Sequence, residues 1–132
     1  MLFLGKKPRP SDSAALTTKA RGQAAEDQAL AYLQAQGLRL LARNYRTPGR
    51  GGGEIDLILQ EPDGTVVFVE VRSRSHAGYG GAGGSISASK RQRIIYAAQV
   101  WLQSHAHSVP CRLDVVLIDG PNLTWMRAAF DV

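Results

Sequence analysis

The order of hydrophobic patterns along these 132 residues predicts one α/β domain, a mixed central β-sheet with a helix on each side. Three observations carry that reading. A helix-period apolar stripe lies ahead of Gly37. Two β-rich runs flank a Pro-Asp-Gly turn. A second helical stripe is followed by two more apolar strands. The length suits a single domain with its own core, and a hydrophobic fraction of 44% is ordinary for a globular chain. Neither a repeat nor a second domain is visible in the pattern.

Taken in order, residues 1–17 read as a disordered basic tail, with Lys6, Lys7, Pro8, Arg9 and Pro10 ahead of Ser and Asp, and residues 18–132 as the folded domain. Thr17 or Thr18 can cap the first helix and Gly37 can end it. Ala25, Ala29, Tyr32 and Leu33 recur at three- and four-residue spacing, so this stripe is expected in the core. Glu26 lies beside it, where periodicity alone reads it as a surface residue. From Leu38 to Arg46 the chain reads as a strand, with Leu38, Leu40 and Ala42 on one side and Arg39, Leu41 and Arg43 on the other. The glycine run Gly51-Gly52-Gly53 follows as a loop that permits close backbone approach. It lacks the lysine and hydroxyl of a P-loop, which argues against nucleotide binding.

Next come Gly53–Gln60 and Val66–Arg72, expected to form a hairpin closed by a type I turn with Gly64 in the left-handed position. Glu61 then faces Thr65, Asp56 faces Glu70, and Glu54 faces Arg72. Alternation puts Ile55, Leu57, Leu59, Val67, Val69 and Val71 on one apolar face, with Glu54, Asp56, Glu70 and Arg72 on the other. Directly opposed carboxylates destabilise a sheet unless something compensates. A hard divalent cation, held by one or two carboxylates together with substrate phosphates, is the natural compensation. The same residues also fit a solvated face with an ordinary Glu54–Arg72 ion pair, and a one-residue register slip would separate the two acids.

Ser73 to Ser85 is glycine-rich and reads as a substrate-contacting loop in which His76 and Tyr79 could touch a ligand. The second helix is expected from about Ser87 to His105, capped by Ser85 or Ser87, with Ile94, Ala97, Ala98, Trp101 and Leu102 as its apolar stripe. Lys90, Arg91 and Arg93 crowd its first two turns against the helix dipole, a cost that a bound phosphate would reverse. Arg112–Ile118 and Leu123–Phe130 complete the sheet across an Asp-Gly-Pro-Asn turn. Asp114, which interrupts an apolar run, is expected to pair with an arginine and is assigned no chemistry.

The charge map narrows the function. The net charge is +5, and residues 51–72 carry five acids and one arginine, whereas residues 1–50 carry nine Lys/Arg and three acids. An acidic centre framed by basic flanks, including Arg43, Arg46, Arg50, Lys90, Arg91 and Arg93, suits a polyanionic phosphodiester partner. Cys111 is the single cysteine, which excludes an internal disulfide and fits a reducing cytoplasm. Met1-Leu2-Phe3-Leu4 is too short for a signal-peptide core, and no run reaches membrane-spanning length.

Several segments together resemble the YraN-like family of small bacterial proteins: Gly22-Gln23-Ala24-Ala25-Glu26, Arg43-Asn44-Tyr45-Arg46, Gly53-Glu54-Ile55-Asp56-Leu57-Ile58 and Phe68-Val69-Glu70-Val71-Arg72-Ser73-Arg74. The Lys90 helix closed by Trp101-Leu102, with Leu113-Asp114-Val115-Val116 and Ala128-Ala129-Phe130, extends the match over about residues 20–131. That family is similar to the restriction-endonuclease-like superfamily, particularly Holliday-junction resolvases. The resemblance implies a Mg²⁺- or Mn²⁺-dependent nuclease site in which Glu26, Asp56 and Glu70 hold the metal and Arg72 stands where a lysine is expected. Arginine stays protonated and cannot serve as a base, although it can stabilise negative charge. Lys90 is the nearest stand-in. The expected function is a metal-dependent endonuclease on structured or branched DNA, with RNA as a further partner. The alternative is a noncatalytic nucleic-acid-binding module with a degenerate site, and a weaker third reading is a protein-interaction scaffold. Resolvase-like activity would need two active sites and hence a homodimer, for which no segment marks an interface.

Overall fold

The computed structural model describes residues 18–49, 52–73, 86–105 and 108–131. The expectations for the tail of residues 1–17, for Arg50, for the loop after Ser73 with His76 and Tyr79, and for Ser85 as a cap lie outside the described residues. Helix α1 (Thr18–Ala35) is followed by strands β1 (Arg39–Arg46), β2 (Glu54–Gln60) and β3 (Val66–Ser73). Helix α2 (Ala88–His105) then precedes β4 (Cys111–Asp119) and β5 (Asn122–Phe130). The five strands form one sheet in the order β1-β2-β3-β4-β5, parallel only between β3 and β4. The α2 segment joins the two parallel strands, as a parallel crossover requires. This is the expected α/β architecture, consistent with a restriction-endonuclease-like fold.

Each helix covers one face of the sheet. Ala25, Ala29 and Leu33 of α1 pack with Leu57, Leu59, Val67, Val69 and Val116. On the opposite face, Ile94, Ala97, Ala98 and Trp101 of α2 pack with Ile55, Ile58, Phe68 and Leu113. Trp101 meets Phe68 edge to face at 5.9 Å, the arrangement the ring quadrupoles favour. Helix α1 ends at Gly37 (φ +100°), where the Leu38 N–H reaches back to the Leu33 carbonyl at 3.1 Å. That closing bond is the Schellman pattern, and glycine adopts the required left-handed backbone without strain. Ser87 caps α2, its hydroxyl accepting the Lys90 N–H at 3.1 Å.

The β2–β3 turn forms as expected. Gly64 takes φ +97°, the Gly64 N–H donates to Glu61 O at 2.9 Å, and the Glu61 N–H donates to Thr65 O at 2.9 Å. The register is also the expected one, running from Gln60↔Val66 to Leu57↔Val69.

Two expectations about faces are corrected. The polar side of the hairpin is not a continuous polar face, because Ile58, Val66 and Phe68 are fully buried beneath α2. A sheet covered on both sides buries consecutive residues, so period-two alternation loses its meaning there. Ile55 also leaves the Leu57/Leu59 face and joins the α2 cluster. The alternation breaks at Asp56 and, across the β1–β2 ladder, at Asn44 (φ +51°). In β1 a bulge between Leu40 and Ala42 does the same, sending Leu40 toward α1 and Ala42 toward α2.

Tyr32 is a further correction. It is 38% exposed, at the border of the α1 stripe, and rests edge-on against Trp125 of β5 at 6.2 Å. Asp114 does pair with an arginine. Its carboxylate is fully buried and accepts bonds from Arg112 Nε (3.0 Å), Trp125 Nε1 (2.8 Å) and the Ala128 N–H (2.9 Å). The last bond secures a bulge at which Ala128 has φ +51° and the β4–β5 register shifts.

Candidate functional site

The acidic centre lies where the β2–β3 ladder opens. Past the Leu57↔Val69 pair, the Asp56 carboxylate accepts the Val71 N–H at 2.8 Å. A side chain has taken the place of the neighbouring strand's backbone, so the two strands diverge around it. Glu70 follows Val69 on β3. It is 4% exposed and close enough to Asp56 for that carboxylate to raise its pKa. Burial and the Asp56 charge push the Glu70 carboxyl up to about 8, against the opposing pull of Lys90. The Lys90 Nζ sits 3.3 Å from Glu70 Oε2. Asp56 and Glu70 are therefore brought together as expected, and the lysine proposed to stand in for Arg72 is in contact with the pair.

Glu26 comes to the same centre from α1. Its side chain is 13% exposed, so the surface reading from periodicity does not hold. Burial first and then the nearby Asp56 charge raise its carboxyl above the ordinary range, partly offset by Arg43. The Arg43 guanidinium lies 2.8 Å from Asp27 and 3.5 Å from Glu26. This arginine of the expected basic flank thus holds the α1 acids against β1.

The expected Glu54–Arg72 ion pair is replaced by Glu54–Arg46 at 3.7 Å, which is exposed and adds little stability. The opening of the ladder at Asp56 accounts for the exchange, since the β2–β3 pairing stops at Leu57↔Val69 and Glu54 no longer sits opposite Arg72. Arg72 is half-buried in β3, beside Leu117 of β4 and on the Glu70 side of its strand.

The loop between β1 and β2 is clamped beside this centre. The Gly53 N–H donates to Thr47 Oγ1 at 2.6 Å, and the Thr47 N–H donates to Gly53 O at 3.0 Å. A Cβ on Gly53 would run into the Arg93 carbonyl and the Ala97 side chain of α2, so only glycine lets the start of β2 lie this close to the helix. Between them remains a small cavity of about 80 Å³ lined by Gly52, Glu54, Lys90, Arg93 and Ile94. Arg93 thus lines this cavity and is itself exposed. Arg91 is exposed on the first turns of α2. Sequence reasoning missed the clamp. The one available signal was a hydroxyl, Thr47, placed shortly before the glycine run.

Among the described residues, no three His, Cys, Asp or Glu side chains converge closely enough to hold a metal by themselves. The donor set still fits a hard cation. Two carboxylates face one another with the negative charge of Glu70 disfavoured, and Mg²⁺ commonly takes one or two protein carboxylates and fills its shell with water and phosphate. Glu26 is near enough to act electrostatically on Asp56, and a bridging water would extend it to such an ion.

A family model described as "Uncharacterised protein family UPF0102" matches residues 25–118. The chain belongs to the UPF0102 family. Its UPF0102 relatives include a protein of Acidovorax sp. (strain JS42), 63% identical over 99% of this chain and 98% of its own length. Another, from Paracidovorax citrulli, is 65% identical over 87% of this chain and 85% of its own. A third, from Methylibium petroleiphilum, is 53% identical over 88% of this chain and 98% of its own. The resemblance expected from the motifs is thereby borne out. The UPF0102 match spans Glu26, Asp56, Glu70, Arg72 and Lys90. No helix among the described residues is long and apolar enough to cross a membrane.

Proposed function

We propose that this UPF0102 protein is a divalent-metal-dependent endonuclease acting on structured or branched DNA. The observation that carries the reading is the buried Asp56–Glu70 pair with the Lys90 ammonium 3.3 Å from Glu70. Asp56, Glu70 and the Val71 carbonyl would hold Mg²⁺ or Mn²⁺, with Glu26 binding directly or through water. A bound divalent ion would lower the pKa of a water and neutralise charge on the scissile phosphate. The remaining work falls to the chain's own residues. The Val71 N–H fixes the orientation of Asp56. Lys90 balances Glu70 and presents an ammonium to the scissile phosphate. Arg72, permanently charged, stabilises charge developing on the phosphate but takes no proton. Arg46, Arg91 and Arg93 would contact the flanking phosphates.

The presence of Arg72 favours a second reading, a nucleic-acid-binding module that keeps the fold and has lost cleavage. Incubation of four-way-junction, flapped and duplex DNA with Mg²⁺ or Mn²⁺ separates the two. Wild type is expected to cut in a metal-dependent manner, with Asp56→Ala inactive and Arg72→Lys at least as active. Metal-dependent cutting by neither wild type nor Arg72→Lys would remove the nuclease reading. Tight, salt-sensitive binding without cutting would leave the module.

A further inference from the structure

The geometry points to a docking platform for unpaired nucleotides on the β5 edge, made by Tyr32, Trp125 and Arg127. The inference rests on the nucleic-acid reading of the acidic centre and adds the kind of strand that reaches it. Tyr32 is one of two large hydrophobic side chains exposed among the described residues, although its helical spacing belongs to the core stripe. Its ring stands against Trp125 at an interplanar angle of 83°. The Trp125 indole is itself immobilised, because its Nε1–H donates to the fully buried Asp114. The Arg127 guanidinium carbon lies 4.1 Å from the centre of the Trp125 ring. Two rings and a guanidinium are thus held in place at low further entropic cost, which is what a stacking site requires. Exposed aromatic and guanidinium planes stack on bases without regard to sequence, while the guanidinium also attracts the phosphate.

Position supports a nucleic-acid occupant. Trp125 pairs with Val116, and Val116 pairs with Val71, the residue whose N–H orients Asp56. The platform therefore lies on the same row of the sheet as the acidic centre, two strand spacings away, or roughly 10 Å. The row between them is closed by the fully buried Val116, so an extended single strand with one phosphate at the centre would pass around it and reach the platform within a few nucleotides. Paired bases are already stacked and cannot lie flat on a side chain. The platform would accordingly take the single-stranded arm of a branched or flapped substrate.

The test uses the full-length protein in EDTA with fluorescein-labelled single-stranded dT and rU dodecamers and a duplex of equal length, read by anisotropy. Tyr32→Ala and Arg127→Gln are expected to weaken single-strand binding about tenfold or more, with duplex affinity unchanged within about twofold. Tyr32→Phe should restore it, since the ring and not the hydroxyl is the contact. The dT and rU arms tell whether DNA or RNA is preferred. Equal losses on single strand and duplex, or single-strand affinity indifferent to Tyr32, would overturn the platform while leaving the acidic centre intact. Binding to no nucleic acid at all would instead overturn the underlying reading. A monomer–dimer shift caused by Tyr32→Ala, with single-strand affinity unchanged, would assign the patch to self-association and overturn the proposal.

Discussion

Glu70 has almost no water around it, faces the Asp56 carboxylate, and finds a cation in Lys90 on the neighbouring helix. Its carboxyl is raised from the ordinary value of 4.5 to about 8, so between those values the folded chain binds more protons than the unfolded chain. The Glu70 contribution to stability is therefore fully present below about 4.5 and is lost as pH rises through about 8. Without divalent metal, the melting temperature should fall between pH 6 and 8.5. Glu70→Gln should flatten that slope, as followed by circular dichroism; an unchanged slope would contradict this account of the burial. At the same centre, removal of Lys90 leaves the two acids without their cation. Lys90→Ala should reduce cleavage roughly a hundredfold or more, the scale of losing one charge-stabilising donor. Arg72→Lys in that background should restore part of it. Much of the chemistry at this scale was legible in the residues. Asp56 and Glu70 were placed together by counting from a turn, whereas Glu26 was not, because its burial depends on how α1 sits on the sheet. The Glu54–Arg72 pairing failed for a related reason: the strands part at Asp56, whose carboxylate takes an amide that a backbone carbonyl would otherwise accept.

At the level of elements, close approach at one end of the sheet depends on small groups. Gly53→Ala should cost about 1–3 kcal/mol, because the added methyl meets the α2 backbone, which cannot move aside as a side chain would. Urea denaturation would measure it, and a loss below a few tenths of a kcal/mol would show that α2 yields. Asp114 anchors the other edge. Asp114→Ala should cost about 1–3 kcal/mol for each buried donor it leaves unpaired, since it frees the Trp125 indole and the Ala128 bulge and leaves Arg112 with Glu61 as its remaining carboxylate. Both helices, the succession of strands along the chain and the Glu61–Thr65 turn could be read from periodicity and turn chemistry. The faces of β1 and β2 could not. Ile55 and Ile58 lie three residues apart yet face the same helix. That follows from a backbone irregularity opposite Asn44, and asparagine in a strand gives no decisive sign of a positive φ.

Across the whole molecule, net charge and topology converge on one region. The sheet brings the acids of β2 and β3 beside the basic first turns of α2, with Arg46 near one flank. If several of these cations meet phosphates, the logarithm of affinity should fall linearly with the logarithm of salt, by about 0.9 per phosphate contacted on duplex DNA. A flat dependence would exclude both the nuclease and the binding-module readings. The most direct test of the acidic centre itself is Mn²⁺ binding, followed by electron paramagnetic resonance at pH 8.5. Wild type should bind Mn²⁺ competitively with Mg²⁺, and Asp56→Asn and Glu70→Gln should each weaken that binding tenfold or more while remaining folded. Binding unaffected by both substitutions, or absent from the folded wild type, would contradict a metal centre at Asp56 and Glu70.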